Sequence, residues 1–147
     1  MEKFDEYQRH LRYKYGSHAF ALLTFLNFLN YMLSRFTDFQ WVESREMEFI
    51  LINFIAISYA ITMYVYHGAY FKKHQSGMLY AFGFLIFGLV NVFELISPYT
   101  ETLSEGRLTD SAAINASQLI WLFGSLAYFS RFFVDKRRDA KEKKTEE

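Results

Sequence analysis

The sequence predicts an all-α fold: a membrane-embedded, antiparallel four-helix bundle with a short N-terminal amphipathic helix. Three observations carry that expectation. Residues 17–34, 49–71, 78–93 and 111–130 contain no Asp, Glu, Lys or Arg, although these types make up 22% of the 147 residues. The charges fall instead in short connections and at the two ends, and the prevailing sign alternates from one connection to the next. Aromatic residues gather near the ends of the uncharged stretches, where a bilayer interface would lie.

The elements follow in chain order. Within residues 1–16, Phe4, Tyr7, Leu11 and Tyr15 are spaced by three and four, giving the apolar face of a helix that lies on a membrane surface. The first span is expected at about 17–36. It is followed by MLSRFTDF instead of small residues at a cleavage site, so it is read as a retained anchor. The second, about 47–70, is introduced by Ser44 as cap and Glu46 in the first turn. Pro98 ends the third, about 78–97, and Asp110 with Ser111 caps the fourth, about 111–134, which runs into the charged tail 135–147. Crossing a hydrocarbon core about 30 Å thick takes roughly 20 helical residues, and each stretch fits. A water-soluble bundle would need charge along one face of every helix, whereas stretches such as FILINFIAISYAITMYVY are apolar all round. Connections of about ten residues make neighbouring helices turn back on one another, within a single domain.

A formal net charge of zero and a mean hydropathy of -0.02 conceal this segregation. The N-terminal arm carries Lys3, Arg9, Arg12 and Lys14, and the middle loop Lys72 and Lys73. The tail adds Lys136, Arg137, Arg138, Lys141, Lys143 and Lys144, while the other two loops hold only Arg45 and Arg107. Twelve against two predicts a multi-pass membrane protein with both termini and the middle loop cytoplasmic. The two outward loops are acidic, with Asp38, Glu43, Glu46 and Glu48 in one and Glu101, Glu105 and Asp110 in the other. Interfacial belts account for Tyr13, Tyr15, Tyr64, Tyr66, Tyr70, Tyr80 and Tyr128 on the inner side, and for Phe36, Phe39, Trp41 and Tyr99 on the outer.

The amide and ionisable side chains singled out inside the expected spans are Asn27, Asn30, Asn53, Asn91, Glu94, Asn115 and Gln118, with Arg35 at an outer end. A rise of about 1.5 Å per residue puts nearly all of them in the outer half, where they form a candidate polar pocket. Asn27 with Asn30, Asn91 with Glu94, and Asn115 with Gln118 are i,i+3 pairs that share a helix face. Two readings stand side by side. Amides act as glue between helices, each link contributing about 0.6 kcal/mol, or they line a vestibule open to the outside. An acid within a span costs roughly 2.5 to 3.5 kcal/mol to insert, which marks Glu94 as a functional candidate. Arg35 lies within about 1 to 2 Å of its level, so the acid is either sealed by that arginine or serves as a binding or proton site.

Other chemistry is excluded or unsupported. Without cysteine there is no disulfide framework, thiolate metal site or cysteine nucleophile. His10, His18, His67 and His74 match no metal-ligand spacing, and no phosphate loop, HExxH or nucleophile elbow occurs. Neither an enzyme, a cofactor, a metal nor a nucleic-acid partner is expected. The expected partners are the lipid bilayer and either another membrane protein or a second copy of the chain.

Asp5, Glu6, Gln8, Leu11, Arg12, Lys14 and Gly16 fit the pattern D-E-x-Q-x-x-[hydrophobic]-R-x-K-x-G, running directly into the first span. In this tenth or so of the chain it resembles small four-spanning integral membrane proteins of Gram-positive bacteria. The resemblance implies a bacterial plasma membrane and carries no activity. Small multidrug resistance proteins also have four short spans and one membrane acid, but theirs is in the first helix, where this chain has amides. The expected function is therefore a non-enzymatic accessory, sensory or immunity role, with a small proton-coupled transporter using Glu94 as the alternative.

Overall fold

The computed structural model describes residues 5–71, 76–97 and 99–145. Lys3, Phe4, Lys72, Lys73, His74 and Pro98, which figure in the expectations above, lie outside the described residues. Among the described residues the regular structure is helical apart from one small hairpin and one isolated bridge. Its elements are α1 (Glu6–Thr37), α2 (Arg45–Tyr66), α3 (Gly77–Ile96), β1 (Leu103–Ser104), β2 (Arg107–Leu108), α4 (Asp110–Ser117) and α5 (Ile120–Thr145).

Three helical segments are long and apolar enough to cross a membrane: Arg45–Tyr66, Gly77–Ile96 and Asp110–Arg138, the last comprising α4 and most of α5. α1 is not among them. Its uncharged stretch contains His18, Asn27 and Asn30, and these polar groups dilute the leucines and phenylalanines around them.

α1 differs from expectation in a second way, because the amphipathic arm and the first span form one unbroken helix of 32 residues. Asp5 caps it, its carboxylate accepting the Gln8 backbone N–H at 2.7 Å. Gly16 does not interrupt the helix; the hydroxyl of Tyr64 passes so close that a Cβ at this position would stand 2.9 Å from it.

The fourth expected span is broken where sequence periodicity gave no warning. The Gln118 N–H is shared between the carbonyls of Ile114 and Asn115, and Leu119 bonds three residues back to Ala116. Such tightening ends α4, and α5 restarts at Ile120. Ser117 contributes by turning its hydroxyl onto the Ile114 carbonyl at 2.7 Å.

Helix neighbours are specific. α1 packs on α2, α2 on α4 and α5, and α3 on α4 and α5. The first turns of α1 meet the end of α2, where the Tyr15 hydroxyl and His67 Nε2 are 2.7 Å apart. The last turns of α1 meet the start of α2, where Asn30 reaches Glu48. α3 and α5 pack tightly at Gly88, where a Cβ would fall 2.7 Å from Leu122 Cβ and 2.8 Å from its Cα. Small residues allow such approach between apolar helices. Of α3, only Ala81, Gly88 and Asn91 are buried, while Leu79, Phe87, Phe93 and Ile96 face outward.

Candidate functional site

Among the described residues, no hydrogen bond or ion pair joins any two of the eight polar residues expected to share one pocket. Asn27, Asn53 and Asn91 each turn their amide N–H back onto their own helix, donating to Leu23, Phe49 and Phe87 at 2.9, 2.7 and 2.8 Å. An i to i−4 bond of this kind satisfies the amide without a partner helix. Asn53 is exposed, Asn91 is buried, and Asn115 and Gln118 lie beside the break between α4 and α5, Gln118 half-buried.

Arg35 and Glu94 are both exposed, and among the described residues no ion pair joins them. The reason is lateral. A common level along the helix axis does not make α1 and α3 neighbours, and each packs on other helices. Arg35 instead borders a hollow with Tyr31, Ser34, Asp38 and Arg45, whose guanidinium donates to the Ser34 hydroxyl at 2.6 Å.

Asn30 alone of the eight bridges two helices through a side-chain hydrogen bond among the described residues, and it leads to a group placed elsewhere by its sequence neighbours. Glu48, expected in an outward loop, is 1% exposed. One carboxylate oxygen accepts the Trp41 backbone N–H at 2.8 Å, with the Val42 N–H farther off at 3.5 Å. The other accepts the Asn30 side-chain N–H at 3.1 Å, and Asn30 Oδ1 in turn accepts the Trp41 indole N–H at 2.9 Å. Glu48, Asn30 and Trp41 thus close a ring in which each buried group has a complementary partner. Trp41 is part of that ring and not simply a belt residue.

Around this ring the two acidic loops are knitted into one cap. Val42, fully buried, forms a parallel bridge to Leu108 of β2; Glu43 N–H donates to the Leu108 carbonyl at 2.8 Å, and Leu108 N–H to that of Trp41 at 2.9 Å. β1 and β2 form an antiparallel hairpin whose turn has Glu105 and Gly106 at positive φ. Val42 also packs with Leu51 and Ala113, and Met47 and Leu108 press against that cluster.

Asp110 completes the joint. Its Oδ1 accepts both the backbone N–H and the hydroxyl of Ser44, at 3.0 and 2.8 Å. Ser44 therefore occupies the cap position of α2 without capping it through its side chain, and α4 is capped by Thr109 instead of Asp110. Over this frame Asp38, Glu43, Glu101 and Glu105 stand exposed, together with Phe39, Tyr99 and Leu103.

At the opposite end the contacts are basic and aromatic. Gln8 donates to the carbonyls of Gly68 and Phe71 at 2.9 and 3.2 Å, tying the turn after α2 to the first turn of α1. Tyr64 donates to the Arg12 carbonyl at 3.0 Å, and Phe71, Tyr80, Phe84 and Tyr128 form a chain of ring contacts between α2's exit and the helices α3 and α5. His67 and His18 each meet a tyrosine hydroxyl, from Tyr15 and Tyr59. No protein-family model matches this chain, and no curated protein or solved structure is detectably similar to it.

Proposed function

We propose that this chain is a small multi-pass membrane protein that works by contact instead of chemistry, an accessory, sensory or immunity protein whose recognition surface is the acidic cap. In this reading α1, α2, α3 and the α4–α5 unit form an antiparallel four-helix bundle in a bacterial plasma membrane. Both termini lie on the cytoplasmic side and the cap faces out. The distribution on α3 supports embedding, since a helix that buries alanine, glycine and asparagine while presenting leucine, isoleucine and phenylalanine is stable in lipid and costly in water.

The observation that carries the functional reading is the construction of the cap. Reversing direction between two helices needs only a few residues. Here the chain adds a hairpin, a bridge between separate loops, and a buried carboxylate whose desolvation must be offset by hydrogen bonds. Such rigidity lowers the entropic cost of binding, and loops held on a fixed scaffold are where recognition residues concentrate. The exposed carboxylates with Phe39, Tyr99 and Leu103 suit a partner that offers basic and apolar residues together.

The test is affinity capture from the native host in mild detergent, comparing the wild type with a variant carrying Asp38→Lys, Glu43→Lys, Glu101→Lys and Glu105→Lys. A specific membrane protein retained by the first and lost by the second is the expected result. The competing outcome is proton flux in liposomes that disappears in Glu94→Gln, which would replace this reading with transport.

A further inference from the structure

Two opposite charges near the cap end of the helices are not used by packing within one chain. Arg35 is the one Asp, Glu, Lys or Arg between Ser17 and Thr37 of α1, and Glu94 is the one in α3. Each stands two residues before the end of its helix, and each is exposed. Among the described residues neither side chain makes a hydrogen bond or an ion pair. Asp38 borders the hollow beside Arg35 together with Arg45, so the charge there stays net positive. The helices that carry the two groups lie at the margins of the packing, α1 against α2, and α3 against α4 and α5.

A stripe of outward residues leads away from each charge. On α1 it runs through Arg35, Tyr31, Phe28, Thr24 and Ala21, all exposed. On α3 it runs through Glu94, Val90, Phe87, Gly83 and Tyr80, all exposed except the half-buried glycine. The steps are four, three, four and three residues in both, the repeat that keeps a seam between two parallel helices. Aligned on the charges, the stripes set Phe28 level with Phe87, Thr24 with Gly83, and the small Ala21 with the large Tyr80. Thr24 is compact and already satisfied, its hydroxyl donating to the Phe20 carbonyl at 2.9 Å. Gly83 has no role inside the chain, since a Cβ there would meet nothing within 4 Å and glycine weakens a helix relative to alanine. Close approach of a second helix gives it one.

From this match we infer that α1 of one copy docks along α3 of the next, parallel to it, with Arg35 paired to the neighbouring copy's Glu94. The occupant is a second copy because both surfaces belong to this chain and complement each other in charge, spacing and residue size. Copies inserted in the same orientation hold the two charges at one level, so the pair forms without displacing either chain. The contact is heterologous, joining two different edges. α1 has the most to gain, because it is less apolar than the three segments suited to crossing a membrane and its outward Thr24 and Arg35 are costly against lipid alone. The docking rests on the membrane reading above, in which α1 and α3 run in the same direction. It is independent of the acidic cap and of any partner bound there. Within one chain Arg35 and Glu94 stay uncoupled, so the contact acts on association and not on the folding of a single copy.

The chain has no cysteine, which makes the seam directly readable. Full-length chains carrying Phe28→Cys and Phe87→Cys, with different affinity tags, are co-expressed in the host and the isolated membranes oxidised. The expected product is a mixed dimer joined through positions 28 and 87, in several-fold excess over the mismatched pair Thr24→Cys and Val90→Cys, whose positions lie about 10 Å apart along the axis. Equal yields, or a dominant product joining 28 to 28 or 87 to 87, would overturn the interface. Arg35→Glu in the first chain should lower the mixed dimer roughly tenfold, as should Glu94→Arg in the second, and both together should restore it. Recovery in the combined reversal rules out misfolding as the cause of the losses; no loss in either single reversal, or no recovery, overturns the pairing. Gly83→Leu in the second chain should also reduce the product by holding the helices apart. Alkaline washing of the same membranes separates the two readings: chains that stay in the pellet without the 28–87 product overturn the interface alone, and chains released by the wash overturn the membrane reading with it.

Discussion

Asn30 on α1 and Glu48 on α2 meet at 3.1 Å in a buried contact, and Trp41 from the loop between them donates to both. Donors and acceptors are matched one to one around this ring, so its members are not interchangeable. Glu48→Ala should leave the Trp41 N–H and the Asn30 amide without partners and lower stability by about 3 kcal/mol, read from thermal unfolding in detergent.

Swapping the charge provides a sharper check. Glu48→Gln presents an N–H₂ to the Asn30 N–H₂, and Asn30→Asp presents one carboxylate to another, so each single change should destabilise. When both substitutions are combined, the new amide on α2 donates to the new carboxylate on α1, which also accepts the Trp41 indole N–H, and complementarity returns. Recovery of at least about 1 kcal/mol over the sum of the single changes is expected in a double-mutant cycle.

Asp110 holds the two loops together through both Ser44 donors. Asp110→Ala should cost about 1 to 3 kcal/mol and expose 99–109 to limited proteolysis, whereas Asp110→Asn keeps the accepting oxygen and should stay near wild type.

Two glycines of α3 should respond oppositely to alanine. At Gly88 the added methyl meets Leu122, backbone included, so Gly88→Ala should cost roughly 1 to 3 kcal/mol. At Gly83 nothing lies within 4 Å of the new Cβ, and Gly83→Ala should stabilise by up to about 1 kcal/mol through helix propensity. Paired melting curves decide both.

Arg35 and Glu94 belong to helices with different neighbours. Neutralising them as Arg35→Gln and Glu94→Gln should therefore be additive within about 0.5 kcal/mol, and a larger coupling would show that they pair.

The helices themselves were legible because long uncharged stretches depend only on local sequence. What was not legible depended on folding back. Glu48 sits among Glu43, Arg45 and Glu46, so its neighbours in sequence mark it as solvent-facing; its burial follows from Trp41 and Val42 curling over it. Axial depth put Arg35 and Glu94 at one level but carried no information about which helices touch. The asparagines looked like bridges, yet an amide in a helix can reach the carbonyl one turn back, and three of them do. The expected arm ended at Gly16, while in the structure the helix runs on through it and the Tyr64 hydroxyl packs close to this position.

The polar ring beneath the cap has a bearing on how the chain is made. Its three side chains all belong to residues 30–48, so the loop and the facing turns of α1 and α2 contain every donor and acceptor it needs. A ribosome that has released α2 has already delivered the complete set. The α1–α2 pair can therefore form with its carboxylate already satisfied, while the hairpin, α3 and α5 are still to be synthesised.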